Sequence, residues 1–116
     1  MKMPEGFGDL AGMMKQAQEQ LGSFQDKMKD LEDELEDRVV EGSSGGGMVK
    51  VLVNGQQEPL DIDIEPELLE EEDAEFIQEM VLAAMRQAIQ KSKDMAEEEK
   101  NKLAGDLGVP GLENLI

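Results

Sequence analysis

From Leu10 onward the apolar residues Leu10, Met14, Ala17, Leu21, Phe24, Met28, Leu31 and Leu35 follow one another at alternating intervals of four and three. A side chain that returns every 3.5 residues or so stays on one narrow face of an α-helix. The pattern therefore predicts a long first helix, capped by Asp9, with a seam of the coiled-coil kind in place of a broad globular face. Gly22 interrupts it at a cost of about 1 kcal/mol against alanine, so the seam needs something to pack on.

The period then falls to two. Arg38 to Glu65 predicts three short strands, separated first by the glycine-serine loop Gly42–Gly47 and then by Asn54-Gly55. Asn-Gly between apolar runs signals a two-residue type I′ hairpin, whose central residues both need positive φ. With that turn Val53 faces Gln56, Val51 faces Glu58 and Val49 faces Leu60, while Ile62 and Ile64 come opposite Gly47 and Gly45. Side chains alternate along a strand. Val49, Val51, Val53, Leu60, Ile62 and Ile64 thus share an apolar face, and Met48, Lys50, Leu52, Asp61, Asp63 and Glu65 take the other.

Pro66 ends the last strand and suits the first turn of a helix; Leu68-Leu69 predicts a short turn. A second long helix carries Ile77, Val81, Ala84, Ala88 and Met95 in line, reinforced by Phe76, Met80 and Met85. Acids crowd its start, Lys100 and Lys102 lie near its end as the helix dipole favours, and Gly105 is its natural stop. The expected organisation is a loose arm over 1–8, a single domain over 9–104 and a mobile or weakly docked tail over 105–116. Its class is α+β, in the order α-β-β-β-α.

The expected lengths do not match. A helix of about 27 residues runs roughly 40 Å, whereas a strand of six or seven covers only about 20 Å. Each helix must overhang the sheet, carrying apolar seam that one chain of this size cannot cover. A homodimer joined through its central region, with helical arms projecting, is the simplest way to bury it.

Composition narrows the chemistry. The 116 residues contain no cysteine, histidine, tryptophan or tyrosine. This removes disulfides, thiolate metal sites and the usual nucleophile–base pairs, so an enzyme is not expected. Gly42–Gly47 lacks the Lys-Ser/Thr that completes a phosphate-binding loop. The GxxG spacing of Gly42 to Gly45 belongs between helices in KH domains, not between strands. Asp61, Asp63, Glu65 and Glu72 partly mimic the spacing of a calcium loop, but Pro66 replaces its glycine and isoleucines intervene; a solvated strand face explains them better. No metal, cofactor or small-molecule substrate is expected. No stretch approaches the length that spans a bilayer, no signal peptide is visible, and the expected compartment is the cytoplasm. The net charge of −17 favours solubility and opposes long-range attraction to polyanions.

The ordered set Met13-Met14-Lys15-Gln16-Ala17-Gln18, Gly42 through Gly55 and Ile62 through Leu69 resembles the YbaB/EbfC family of bacterial nucleoid-associated proteins over nearly the whole chain. The resemblance implies a tweezer-like homodimer located in the nucleoid, which binds double-stranded DNA with little sequence preference and alters its shape. The family often places basic residues in the third strand, where this chain has Leu60 and Asp61. From Glu58 to Glu79 there is no lysine or arginine at all.

Non-specific duplex binding is mostly Lys and Arg displacing counterions from phosphates. Candidates are Arg86, Lys93 and Lys100, which recur every seven residues on the second helix, with Lys91 and Lys102 nearby; on the first helix they are Lys15 and Lys29, with Lys27 adjacent. Against this stands internal neutralisation through the i,i+4 pairs Lys15–Glu19, Lys29–Asp33, Lys93–Glu97 and Glu98–Lys102. The competing reading is an acidic dimeric protein-interaction module with no direct DNA binding.

Overall fold

The computed structural model describes residues 5–106. Along them run α1 (Glu5–Asp37), β1 (Val39–Ser44), β2 (Val49–Asn54), β3 (Pro59–Ile64), α2 (Pro66–Glu71) and α3 (Ala74–Asp106). The strands form one antiparallel sheet in the order β1-β2-β3. This is the expected long helix, three-stranded sheet and long helix. The helices are longer than their sequence signals indicate: α1 is already helical at Glu5, ahead of Asp9, and α3 continues through Gly105. Residues 1–4 and 107–116, which hold the remainder of the two expected terminal segments, lie outside the described residues.

The second hairpin is wider than Asn54-Gly55 suggested. Val49 pairs with Ile64 and Val51 with Ile62, a register four residues away from that of a two-residue turn. Four is even, so the apolar alternation survives the slip. The expected turn fails because Asn54 and Gly55 do not adopt positive φ; among non-glycine residues it is Gln57 that does, at 62°. The buried Asn54 side chain organises the loop instead, its Oδ1 accepting from the N–H groups of Gln56 (2.9 Å) and Glu58 (3.0 Å). This local side-chain capping replaces backbone turn geometry. A bulge opposite Leu52 and Val53 then leaves Leu60 without a partner on β2.

The first loop is also shorter than expected. Gly42 lies inside β1, and only Gly45–Gly47, a 3-10 turn with all three φ values positive, departs from the strands. A Cβ at Gly42 would run into the Ala84 carbonyl and stand 2.5 Å from the Ala88 nitrogen. Gly42 is therefore required by close approach of α3, not by loop flexibility.

That approach builds the core. Val49, Val51 and Val53 present β2's apolar face to Met80, Ala84 and Ala88 of α3, and Leu68 of α2 closes one end. Small side chains on the helix let it sit low over the sheet. The Ser44 hydroxyl donates to the Met80 carbonyl at 2.7 Å, and buried Ser92 donates to the Asn54 carbonyl at 2.6 Å. The outer edge of β1 is covered as well: its Ser43 N–H donates to Gln87 Oε1 (2.8 Å) and its Glu41 carbonyl accepts from Lys91 Nζ (2.9 Å). Side chains of α3 thus occupy groups that would otherwise invite another strand.

Beyond Ser92, α3 leaves the sheet and runs antiparallel to the end of α1, touching it through Leu31, Leu35 and Ala96, with Met95 and Leu103 alongside. The two helices form a projecting arm, and the molecule measures 86 × 20 × 20 Å. Of the first helix's seam, only Leu31 and Leu35 are buried; Leu10, Met14 and Leu21 are each about half exposed or more.

Candidate nucleic-acid interface

Both helices of the arm meet the sheet at one place, the Asn54–Glu58 turn. The Gly55 N–H donates to the carbonyls of Leu35 (2.7 Å) and Arg38 (3.0 Å), satisfying orphan acceptors at the end of α1. A Cβ on Gly55 would stand 2.5 Å from the Leu35 carbonyl oxygen, which is why glycine occupies that site. Gln56 Nε2 reaches back to the Glu32 carbonyl (2.7 Å), and Gln57 Nε2 to the Ser92 hydroxyl (3.0 Å) on α3. The turn ties α1, α3 and β2 together.

From this junction the nominated cations can be placed. Lys93 and Lys100 line one shallow recess with Gln57, Ala96, Glu97 and Asn101, and Lys100 also borders Glu32 and Gln56. The structure thus brings two members of the seven-residue stripe together beside the turn. Arg86, the third, is exposed on the part of α3 that overlies the sheet. Lys91 is committed to the edge of β1. Lys102 lies between Glu98 (3.6 Å) and Glu99 (3.5 Å), and Lys27 lines the recess formed with Asp30, Glu99, Lys102 and Asp106. Lys15 and Lys29 are exposed along α1.

Of the four i,i+4 pairs that could neutralise these cations, Glu98–Lys102 forms. Among the described residues, the other three do not close within 4.0 Å. The pair that does form is exposed on both sides and contributes at most a few tenths of a kcal/mol. Sequence reasoning missed Arg38, whose guanidinium contacts Glu99 at 3.2 Å and so joins the start of β1 to α3. The hydrogen bond from Arg38 holds the Glu99 carboxyl below the usual carboxylate range; burial works against this and Lys102 assists it. A lone arginine directly after an acidic helix end was the available signal. Gln56 and Gln57 were also overlooked as junction residues.

Charge is sorted along the long axis. Between Leu10 and Lys29, Lys15, Lys27 and Lys29 outnumber Glu19 and Asp26. Nearer the junction the arm turns acidic, and from Glu58 to Glu79 every ionisable residue is an acid. Among the described residues no three acidic side chains converge closely enough to hold a metal ion, and no helix is long and apolar enough to cross a membrane.

Known proteins share this sequence and this architecture. Residues 6–107 match the model of the YbaB/EbfC DNA-binding family. A nucleoid-associated protein of Pelotomaculum thermopropionicum is 45% identical over 105 residues, covering 90% of this chain and 96% of its own. One from Chlorobium luteolum is 49% identical over 107 residues, covering 92% and 89%. The crystal structure of an uncharacterized protein from Helicobacter pylori superposes with a TM-score of 0.56 at 31% identity, over 75% of this chain and 96% of that one.

Proposed function

The chain belongs to the YbaB/EbfC DNA-binding family, and from that premise we propose that it works as a nucleoid-associated homodimer whose helical arms hold duplex DNA without sequence preference and alter its shape. The observation that carries this reading is the sorting of charge. Lysines outnumber acids on the outer part of α1, while the acidic stretch Glu58–Glu79 lies at the opposite end of the molecule's length. A polyanion is attracted to the tip and repelled from the base, so contact is confined to the arms. Lys15, Lys27, Lys29, Lys93 and Lys100 then face phosphates, and Arg86 and Lys102 add weaker support. Lys91 is the least available because it already bonds the Glu41 carbonyl.

Dimerisation is assigned to the uncovered side of the sheet. The helix α3 lies over β1 and β2, and the apolar face continues past it onto β3, where Leu60 and Ile62 are 52% and 44% exposed. A second copy laid on that surface covers them and leaves both arms projecting. Replacing Ile62 by Asp is expected to halve the solution mass, as read by light scattering.

Duplex binding is tested by fluorescence anisotropy over a salt series. Affinity is expected to fall as salt rises, and the triple replacement of Lys15, Lys27 and Lys29 by alanine should reduce the log–log slope by about 3, roughly one per lost phosphate contact. Absence of binding even at low salt would leave the acidic interaction module as the function.

A further inference from the structure

The outer half of α1 carries an apolar seam that nothing in the described structure touches. Leu10, Met14 and Leu21 are 49%, 59% and 56% exposed, with Met13 at 64% beside them. Gly12 and Gly22 lie in the same stretch, with open space around both. A helical segment of this length, weakened by two glycines and unsupported by packing, is marginal in water. A contiguous apolar stripe of this kind calls for an occupant.

The course of the chain supplies one. Asp106 borders the same recess as Lys27 and Asp30, so α3 ends beside α1 at that level, directed along α1 toward its N-terminus. Residues 107–116 follow: Leu-Gly-Val-Pro-Gly-Leu-Glu-Asn-Leu-Ile, with five apolar side chains and one charge. Extended, these residues reach about 33 Å, whereas Lys27 to Leu10 spans about 26 Å of helix. Reach, direction and composition therefore agree. Val109 comes level with Leu21, and Leu112 with Met14. Tethering gives the tail an effective concentration in the millimolar range, above that of any free second chain.

We propose that residues 107–116 fold back along α1 of the same chain and cover the seam from Leu10 to Phe24. The tail is then the third member of the arm, bracing α1 beyond the point where α3 stops. This proposal stands apart from the DNA-binding reading and is tested without DNA.

The chain has no cysteine of its own, so an engineered pair is unambiguous. In the full-length double variant Leu21→Cys/Val109→Cys, mild oxidation is expected to give an intrachain disulfide whose yield does not change on tenfold dilution. A disulfide that joins two chains, in this variant or in Leu21→Cys alone, would assign the seam to a second copy and overturn the proposal; so would the absence of any cross-link. Independently, the full-length variant Leu112→Ser/Leu115→Ser/Ile116→Ser is expected to raise amide hydrogen exchange at least tenfold over residues 10–24, with residues 49–53 unchanged. Unaltered exchange over 10–24 would also overturn it.

Discussion

Over the sheet, α3 shows the β-strands Ala84, Ala88 and Ser92, each fully buried, and its backbone comes so near to β1 that only glycine fits at position 42. Past Ser92 the same helix has only the last turns of α1 to lean on. There Leu31, Leu35 and Ala96 are buried and Met95 and Leu103 are partly covered. The two halves carry similar apolar patterns but differ in the size of their residues. Alanine and serine bring backbones together, and the resulting contact is dense and continuous. Leucine reaches across a wider gap between two helices, and the contact is a short ladder. Periodicity identifies the inward face, and residue size indicates how close the neighbour comes.

The comparison can be broken most forcefully on the sheet side. Gly42→Val places a branched side chain against the backbone of α3, which cannot yield without lifting off, and should cost about 3 kcal/mol in urea denaturation. A variant with the parent's midpoint would show that the helix rides higher than described. Leu35→Ala strikes the arm instead. It removes a side chain that is 2% exposed, from a site bordered by an open recess, and about 2–3 kcal/mol should be lost. Its effect should be local, with faster hydrogen exchange at the end of α1 and over residues 96–104 and little change in β2.

The smallest effect is electrostatic. Arg38→Met removes the contact that holds the Glu99 carboxyl below its ordinary value of 4.5. A carboxylate with a depressed folded-state pKa stabilises the fold above its unfolded value and loses that contribution as pH falls through the folded one. The variant should therefore be about 0.5 kcal/mol less stable at neutral pH, and the two proteins should converge below pH 4.5 as Glu99 takes up its proton. A difference that persists in acid would assign Arg38 a packing role.

The elements were legible in the sequence because their periods were strong. The heptads announced α1, the alternation around Val49, Val51 and Val53 announced the sheet, and even the mistaken hairpin register kept the correct face inward. What was hidden depended on contacts distant in sequence. Gly42 and Gly55 looked like loop formers, yet each is glycine because a helix backbone passes over it. Lys91 looked like a free cation until β1 was seen to need an edge partner. The outer seam of α1 is apolar in sequence for a reason that the described residues do not include.

The turn at Asn54–Glu58 joins the arm to the sheet through Gln56, Gln57, Ser92 and the Gly55 N–H. It therefore acts as a fulcrum. From Leu35 to Leu10 the lever is about 38 Å long, so a rotation of roughly 10° swings the tip by about 6–7 Å. That is close to two nucleotide steps along one strand of a duplex, at about 3.4 Å each. How widely the prongs gape is governed by a few amide hydrogen bonds at their root.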